Sequence, residues 1–292
     1  NLFEDNGIKF FNKDGQKFPV KLERKIENKL MEEMMAVESK NLGKASRMSD
    51  AQGRYIEFCK SSFTNLDLSG LSILLDCANG ATYSVAPKVF SELGAKVHSI
   101  GASPDGININ QNCGSTSPDA LKGEIAKGNF DIGIAFDGDG DRILIIAADG
   151  TVLDGDDILF ILSKQISDNS GIVGTLMTNK SLELHFQENK IDFVRTDVGD
   201  KYVLQKLTEK AWYLGGEPSG HVICLDAAQT GDAIIAALKV LDAIKEESFS
   251  LSKALEEFEK FPQTLINLKV DNPNKIIVSD KFWQKVTDTE LQ

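Results

Sequence analysis

A run of six residues, Asp137-Gly138-Asp139-Gly140-Asp141-Arg142, restricts the fold of this chain more than any other stretch. Three carboxylates stand at every second position with only glycine between them. Both flanks, 131–136 (DIGIAF) and 142–147 (RILIIA), read as short buried strands. The acids therefore sit on a tight connection between two sheet elements. Side chains two apart on an extended loop point the same way, and carboxylates ~5 Å apart repel by roughly 3 kcal/mol per pair at an effective dielectric of about 20. A divalent cation removes that cost. The donors are all hard oxygens, no His or Cys is close in sequence, and the glycines let the backbone bend toward a ~2.1 Å shell, which points to Mg2+ (magnesium) held by Asp137, Asp139 and Asp141. The nearest calcium pattern is the EF-hand, but that loop wants Gly sixth and Glu twelfth, where this chain has Arg142 and Ala148. The bland alternative is an Asp-Gly hairpin with solvated acids. Three acids in register followed at once by Arg weigh against it.

Length and composition narrow the partners. The chain has 292 residues, 41% of them hydrophobic and 26% charged, enough for two or more cored domains of an ordinary soluble protein. A formal charge of −12 argues against nucleic acid or an anionic membrane surface. Cys59, Cys77, Cys113 and Cys224 show no CxxC spacing, which reads as reduced thiols. With no signal peptide and no long apolar run, the expected compartment is the cytoplasm. The chain opens on Asn1 in mid-element and is read as a fragment of something longer.

From Leu71 onward, strands and helices alternate. Strand 72–78, helix 84–93 and strand 96–101 form a βαβ unit, followed by a Gly/Asn/Ser/Pro-rich loop over 102–118, helix 119–127 and the strand into the acidic loop. A second run expects helix 157–167, strand 172–178, helix 181–189, strand 192–196, helix 200–210 and strand 211–214, closed by an amphipathic helix over 231–247. Before the first run, 7–11 is strand-like and 19–37 and 49–58 read as helices. After the second, 265–270 (LINLKV) is strand-like and 280–286 helical.

Four loops could carry chemistry. Arg142, beside the acids, can take a phosphate oxygen bidentately while a metal takes another. Gly215-Gly216-Glu217-Pro218-Ser219-Gly220-His221 follows a strand, and its Glu217, Ser219 and His221 offer a bidentate acceptor, a hydroxyl and a group titrating near neutrality. That set suits a polyol, although a Gly-rich turn with one His is more often only a turn. Lys9, in the turn Asp5-Asn6-Gly7-Ile8-Lys9, could act as acid, base or fixed charge on a transferring phosphoryl group. Asp200 and Lys201, in Val198-Gly199-Asp200-Lys201, stand where free N–H groups at a helix start could receive phosphate or sugar oxygens.

In this order the motifs resemble those of the α-D-phosphohexomutase family over essentially the whole chain. DGDGDR (137–142) resembles its metal loop, GGEPSGH (215–221) its sugar loop and DNGIKF (5–10) the end of its catalytic loop. PDGININQNCGST (104–116), VGDKYV (198–203) and FPQTLINLKV (261–270) resemble the glucosamine branch of the family more than the glucose or mannose branches. The resemblance implies a multi-domain α/β fold with mixed sheets flanked by helices in the first three domains and a smaller α+β last domain. On this chain these would be the C-terminal part of domain 1 (1–66), domain 2 with the metal loop (67–154), domain 3 with the sugar loop (155–260) and the truncated start of domain 4 (261–292).

It further implies interconversion of glucosamine 6-phosphate and glucosamine 1-phosphate through a phosphoserine and a 1,6-bisphosphate, on the route to UDP-N-acetylglucosamine and cell-wall precursors. The partner is a small-molecule sugar phosphate, with a homodimer as a candidate assembly. Lys9, Arg142 and His221 take the catalytic positions, Glu217, Ser219, His221, Asp200 and Lys201 the substrate-binding ones, and the three aspartates hold magnesium. The serine of the relatives stands a few residues before DNGIKF in a Ser-His-Asn stretch matched here only by Asn1, and the phosphate loop of the last domain would lie past Gln292. This chain alone is therefore expected not to turn over. Leu2 stands where many relatives carry Pro, a minor departure. The rival enzyme is a haloacid-dehalogenase-type phosphatase, whose signature also ends a buried strand in DxDG. Its usual place near the start of a chain and its downstream GDxxxD are both lacking here. A module that binds metal and sugar phosphate without turnover is the non-enzymatic alternative.

Overall fold

The structure, a computed structural model, describes residues 2–5, 10–13, 15, 18–33, 36–44, 46–167, 169–245, 248–266, 269–270 and 279–290. It comprises two compact units, Asn1–Lys260 and Phe261–Gln292.

In the first unit, helices α1 (Val20–Leu30) and α2 (Ala51–Ser61) precede β1 (Ser72–Asp76), α3 (Ala86–Glu92), β2 (Lys96–Ile100), α4 (Asp119–Ile125), β3 (Ile132–Phe136), β4 (Ile143–Ala147) and β5 (Val152–Leu153). The strands form one sheet in the order β2-β1-β3-β4-β5. β1 runs parallel to β2 and β3, whereas β4 and β5 are antiparallel additions. Residue alternation sorts the two faces. Leu74, Ala135 and Ile146 pack with Leu121 and Ile125 of α4, while Ile73, Leu75, Ile134 and Ile145 face the main core. Gly133 lets α4 close on the sheet, because a Cβ there would come within 3.0 Å of the Ile125 side chain.

The chain continues through α5 (Gly155–Ser163), β6 (Gly171–Thr175), α6 (Lys180–Glu188), β7 (Asp192–Thr196), α7 (Asp200–Lys210), β8 (Leu214–Gly216), β9 (Val222–Cys224), α8 (Ala233–Ile244) and α9 (Leu251–Ala254). The second sheet has the order β7-β6-β8-β9, with β6 parallel to both neighbours and β9 antiparallel. α5 is buried along its whole length, and α8 packs on both β4 and β9, so one core runs through both sheets. The helix expected at 231–247 to be amphipathic is instead buried on nearly every side.

Several element ends differ from expectation for local reasons. Ala211, in the left-handed region at φ 54°, stops α7 and delays the next strand to Leu214–Gly216. The glycines of that strand are needed, since a Cβ on Gly215 would lie 2.8 Å from the Val173 carbonyl oxygen. α1 ends at Leu30 rather than near residue 37, with Leu30 and Met31 exposed. The strand expected at 7–11 falls largely outside the described residues. The described part of 265–270 carries no strand. In the second unit, α10 (Asp280–Glu290) forms at the expected place and runs further.

The start of α5 gathers three acids. Asp154 accepts from the N–H groups of Asp156 and Asp157, Asp157 returns a bond to the Asp154 N–H, and Lys260 Nζ lies 2.8 Å from Asp154 and 2.6 Å from Asp157. Asp156 turns inward. Its Oδ2 accepts from the Asn179 N–H at 2.8 Å and its Oδ1 is buried without a partner. Burial, aided by the charges of Asp154 and Asp157 and opposed by the Asn179 N–H and Lys260, pushes its carboxyl from 3.8 up to about 7. In that window the folded state holds a proton that the unfolded chain has released, so stability falls as pH rises from about 4 to 7, by up to about 4 kcal/mol. Denaturant titrations at pH 5 and pH 8 should show the wild type losing more stability than Asp156→Asn. Parallel losses would refute the assignment.

Candidate active site

The acidic loop leaves β3 and returns as β4, and its shape is set mainly by backbone bonds. Asp137 Oδ1 accepts from the N–H groups of Gly140 (3.1 Å), Asp141 (3.0 Å) and Arg142 (3.1 Å), which makes it the organiser of the turn. Gly138 donates to Asn110 Oδ1 at 2.9 Å and accepts from Ala81 N–H at 2.8 Å. A Cβ on the neighbouring Gly80 would lie 2.3 Å from the Gly138 carbonyl oxygen, so the two loops meet backbone to backbone. Burial raises the Asp137 pKa, and the charges of Asp141 and Asp139 add to the rise.

The second loop connects β8 to β9. Glu217 N–H donates to the His221 carbonyl and Gly220 N–H to the Glu217 carbonyl, each at 3.0 Å. Glu217 Oε1 accepts from Gly199 N–H at 2.9 Å, which brings the carboxylate to the start of α7, where the helix dipole favours it. The two loops are stitched together, because Ile143 N–H at the head of β4 donates to the Gly220 carbonyl at 3.0 Å. His221, 4% exposed, lies between them, with Nδ1 3.8 Å from Asp141 Oδ2 and Nε2 3.9 Å from Asp200 Oδ2.

These contacts enclose a cavity of about 660 Å³ lined by Asp137, Asp139, Asp141, Arg142, Asp200, Glu217, Ser219 and His221, together with Thr116, Thr175, Met177, Val198, Gly199 and Pro218. It opens at the carboxyl ends of β3, β6, β7 and β8, the usual position for a ligand on an open α/β sheet. Thr175 and Met177 were not anticipated, because the residues 172–178 read as unbroken strand. Their loop is shaped by a distant group, with Arg195 Nη1 donating to the carbonyls of Thr175 (3.0 Å) and Thr178 (2.7 Å). Lys201 does not line the cavity; its ammonium lies 4.7 Å over the Tyr202 ring. Lys9 lies outside the described residues.

The lining is lopsided in charge, with five carboxylates (Asp137, Asp139, Asp141, Asp200, Glu217) against the guanidinium of Arg142. An anionic ligand would be repelled from such a wall unless a cation entered with it. The oxygen-only donors suit a hard dication. As they stand, no three carboxylate, histidine or cysteine groups among the described residues converge closely enough to form a finished metal site. Among the same residues no helix is long and apolar enough to cross a membrane.

Comparison with known proteins places this architecture. Residues 53–150 match the phosphoglucomutase/phosphomannomutase alpha/beta/alpha domain II and residues 154–261 match domain III of the same family. The phosphoglucosamine mutase of Aeromonas salmonicida is 50% identical over 297 residues, covering 100% of this chain and 67% of its own length. That of Pseudomonas entomophila is 52% identical over 276 residues, covering 93% and 62%. The chain thus spans about two thirds of the length of these relatives. Among solved structures, Aspergillus fumigatus N-acetylphosphoglucosamine mutase in complex with GlcNAc-6P and magnesium superposes with a TM-score of 0.62 at 19% identity, over 77% of this chain and 53% of that one, which shows a shared fold.

Proposed function

The chain belongs to the phosphoglucomutase/phosphomannomutase family of α-D-phosphohexomutases, and on that footing we propose that the intact protein interconverts glucosamine 6-phosphate and glucosamine 1-phosphate. The observation that carries this reading is the bond from Ile143 N–H to the Gly220 carbonyl, which joins a phosphate-and-cation loop to a polyol loop over one cavity. In this reading Asp137, Asp139 and Asp141 hold magnesium, which neutralises phosphoryl oxygens when bound. Arg142, exposed at the cavity, takes a further phosphoryl oxygen through its planar fork. Glu217 and Ser219 receive sugar hydroxyls, and His221 and Asp200 complete that wall.

Such a site needs little covalent chemistry of its own. Phosphoryl transfer is accelerated mainly by positioning and charge neutralisation, and the sugar must present first one end and then the other to the same phosphoryl donor. A serine carrying that phosphoryl group, and a 1,6-bisphosphate released into the cavity between the two transfers, satisfy the requirement. The test is an assay of the intact protein with magnesium against glucosamine, glucose and mannose phosphates side by side. Fastest conversion of the glucosamine pair is expected, and dominance of glucose or mannose would overturn the sugar assignment. A beryllofluoride adduct on Asp137 would replace the mutase reading with a phosphatase of the aspartyl-phosphate type.

A further inference from the structure

The turn Gly231-Asp232-Ala233, which has no part in the site as described so far, touches both of its loops. Ala233 N–H, in the first turn of α8, donates to the Gly140 carbonyl of the acidic loop at 3.0 Å. Gly231 lies against the His221 imidazole so closely that a Cβ there would be 2.3 Å from Nε2 and 2.4 Å from Cε1. That Nε2 is fully buried and has no hydrogen-bond partner, so the ring is held in place by what it packs against and by the flanking carboxylates at 3.8 and 3.9 Å.

The turn that does the holding is itself anchored from afar. Asp232 Oδ1 caps α8 by accepting from the N–H groups of Ile234 and Ile235, both at 3.0 Å. The Tyr55 hydroxyl, on α2, donates into the same carboxylate at 2.9 Å to Oδ1 and 2.8 Å to Oδ2. Burial, with the charge of Asp232 behind it, drives the Tyr55 phenol far above its ordinary range, so it stays a donor. The chain of contacts therefore runs from Tyr55 through Asp232 to Gly231 and Ala233, and from these to His221 on one loop and Gly140 on the other.

We propose that Tyr55, Asp232 and Gly231 are positioning residues, forming a strut that sets the His221 ring and the Gly140 turn in register so that the sugar-facing and cation-facing loops move as one. The importance of His221 for the sugar rests on the function proposed above; the strut itself does not. Glycine at 231 is then a requirement of packing against an imidazole, since its backbone leaves no room for any side chain on that face.

The chain has three histidines, His98, His185 and His221, so ring nitrogen resonances can be followed individually in protein labelled on histidine. In ligand-free Gly231→Ala, the His221 ring signals should shift while those of His98 and His185 stay, and affinity for glucosamine 6-phosphate should fall by on the order of tenfold or more. In Tyr55→Phe, hydrogen exchange at the Ala233 amide should accelerate by about tenfold, the loss expected for one hydrogen bond to a charged group, with the amides of α6 unaffected. Unmoved His221 signals in Gly231→Ala, or unchanged Ala233 exchange in Tyr55→Phe, would overturn the strut. Should Gly231→Ala fail to fold, the Tyr55→Phe exchange measurement decides alone. If the wild type binds no sugar phosphate, the functional reading fails while the spectra and exchange rates still decide the strut.

Discussion

Asp139→Asn is expected to gain clearly less stability from magnesium than the wild type does. Without the ion, three aspartates share one turn and one cavity wall; burial is what chiefly raises the Asp137 carboxyl, and the charges of Asp141 and, least, Asp139 push it the same way. Replacing the charge at 139 takes one carboxylate from that wall, so the stability that magnesium adds is compared within each protein, from chelator to magnesium. Asp139 is the position of choice because Asp137 Oδ1 holds three backbone N–H groups, and its loss would unmake the loop for reasons unrelated to a cation. An ion that binds only the folded state adds stability in proportion to the logarithm of its concentration over Kd, about 2.7 kcal/mol at a hundred times Kd. Groups that only orient a metal ligand already contribute 10–100-fold in affinity, so removing a ligand should weaken magnesium by at least about tenfold. Calorimetric titration together with melting in chelator and in magnesium checks both halves. Equal stabilisation of the two proteins by magnesium would remove Asp139 from the ligand set.

Local pattern was enough to locate most of the elements that build this site. α7 lies where helical spacing puts it, with Val203 and Leu207 buried on one face, and β7 lies where a short run with Phe193 and Val194 at its centre puts it. The acidic loop was legible for an electrostatic reason, since charges at that spacing demand an explanation wherever they occur. Glu217, Ser219 and His221 were legible by residue chemistry, and the fold then brings them to the same cavity as the aspartates.

What the chain alone could not disclose are contacts between residues far apart in sequence. The strand that ends at Thr175 looks continuous to residue 178, and the turn exists because Arg195 on the next strand collects its carbonyls. Gly215 and Gly216 resemble loop residues until the Val173 carbonyl and His221 are seen to press on them from either side. Lys201 looked apt for phosphate by type and position, but it leaves the cavity for the Tyr202 ring. The core shared by the two sheets was equally hidden, because α5 and α8 read as ordinary helices until both are found buried between them.

Gly220→Ala should be among the most damaging single substitutions in the first unit, and a second glycine isolates the reason. Gly220 has φ +88°, and a Cβ there would stand 2.0 Å from the Ile143 carbonyl oxygen and 3.0 Å from its carbon. Gly106 has φ +98° with nothing within 4 Å of its would-be Cβ. Backbone strain from a positive φ is common to both and costs about 1–2 kcal/mol. Only Gly220 must in addition move a β4 carbonyl and give up the bond from Ile143 N–H, worth about 1 kcal/mol or more. Denaturant midpoints should therefore place Gly106→Ala about 1 kcal/mol below the wild type and Gly220→Ala at least about 3 kcal/mol below. The second variant should also lose sugar-phosphate affinity, because the joint it breaks is the one that keeps Glu217 and His221 opposite the aspartates, whereas the first should retain it. Equal losses of stability in the two variants would mean that the contact between β4 and the sugar loop is not what holds the cavity together.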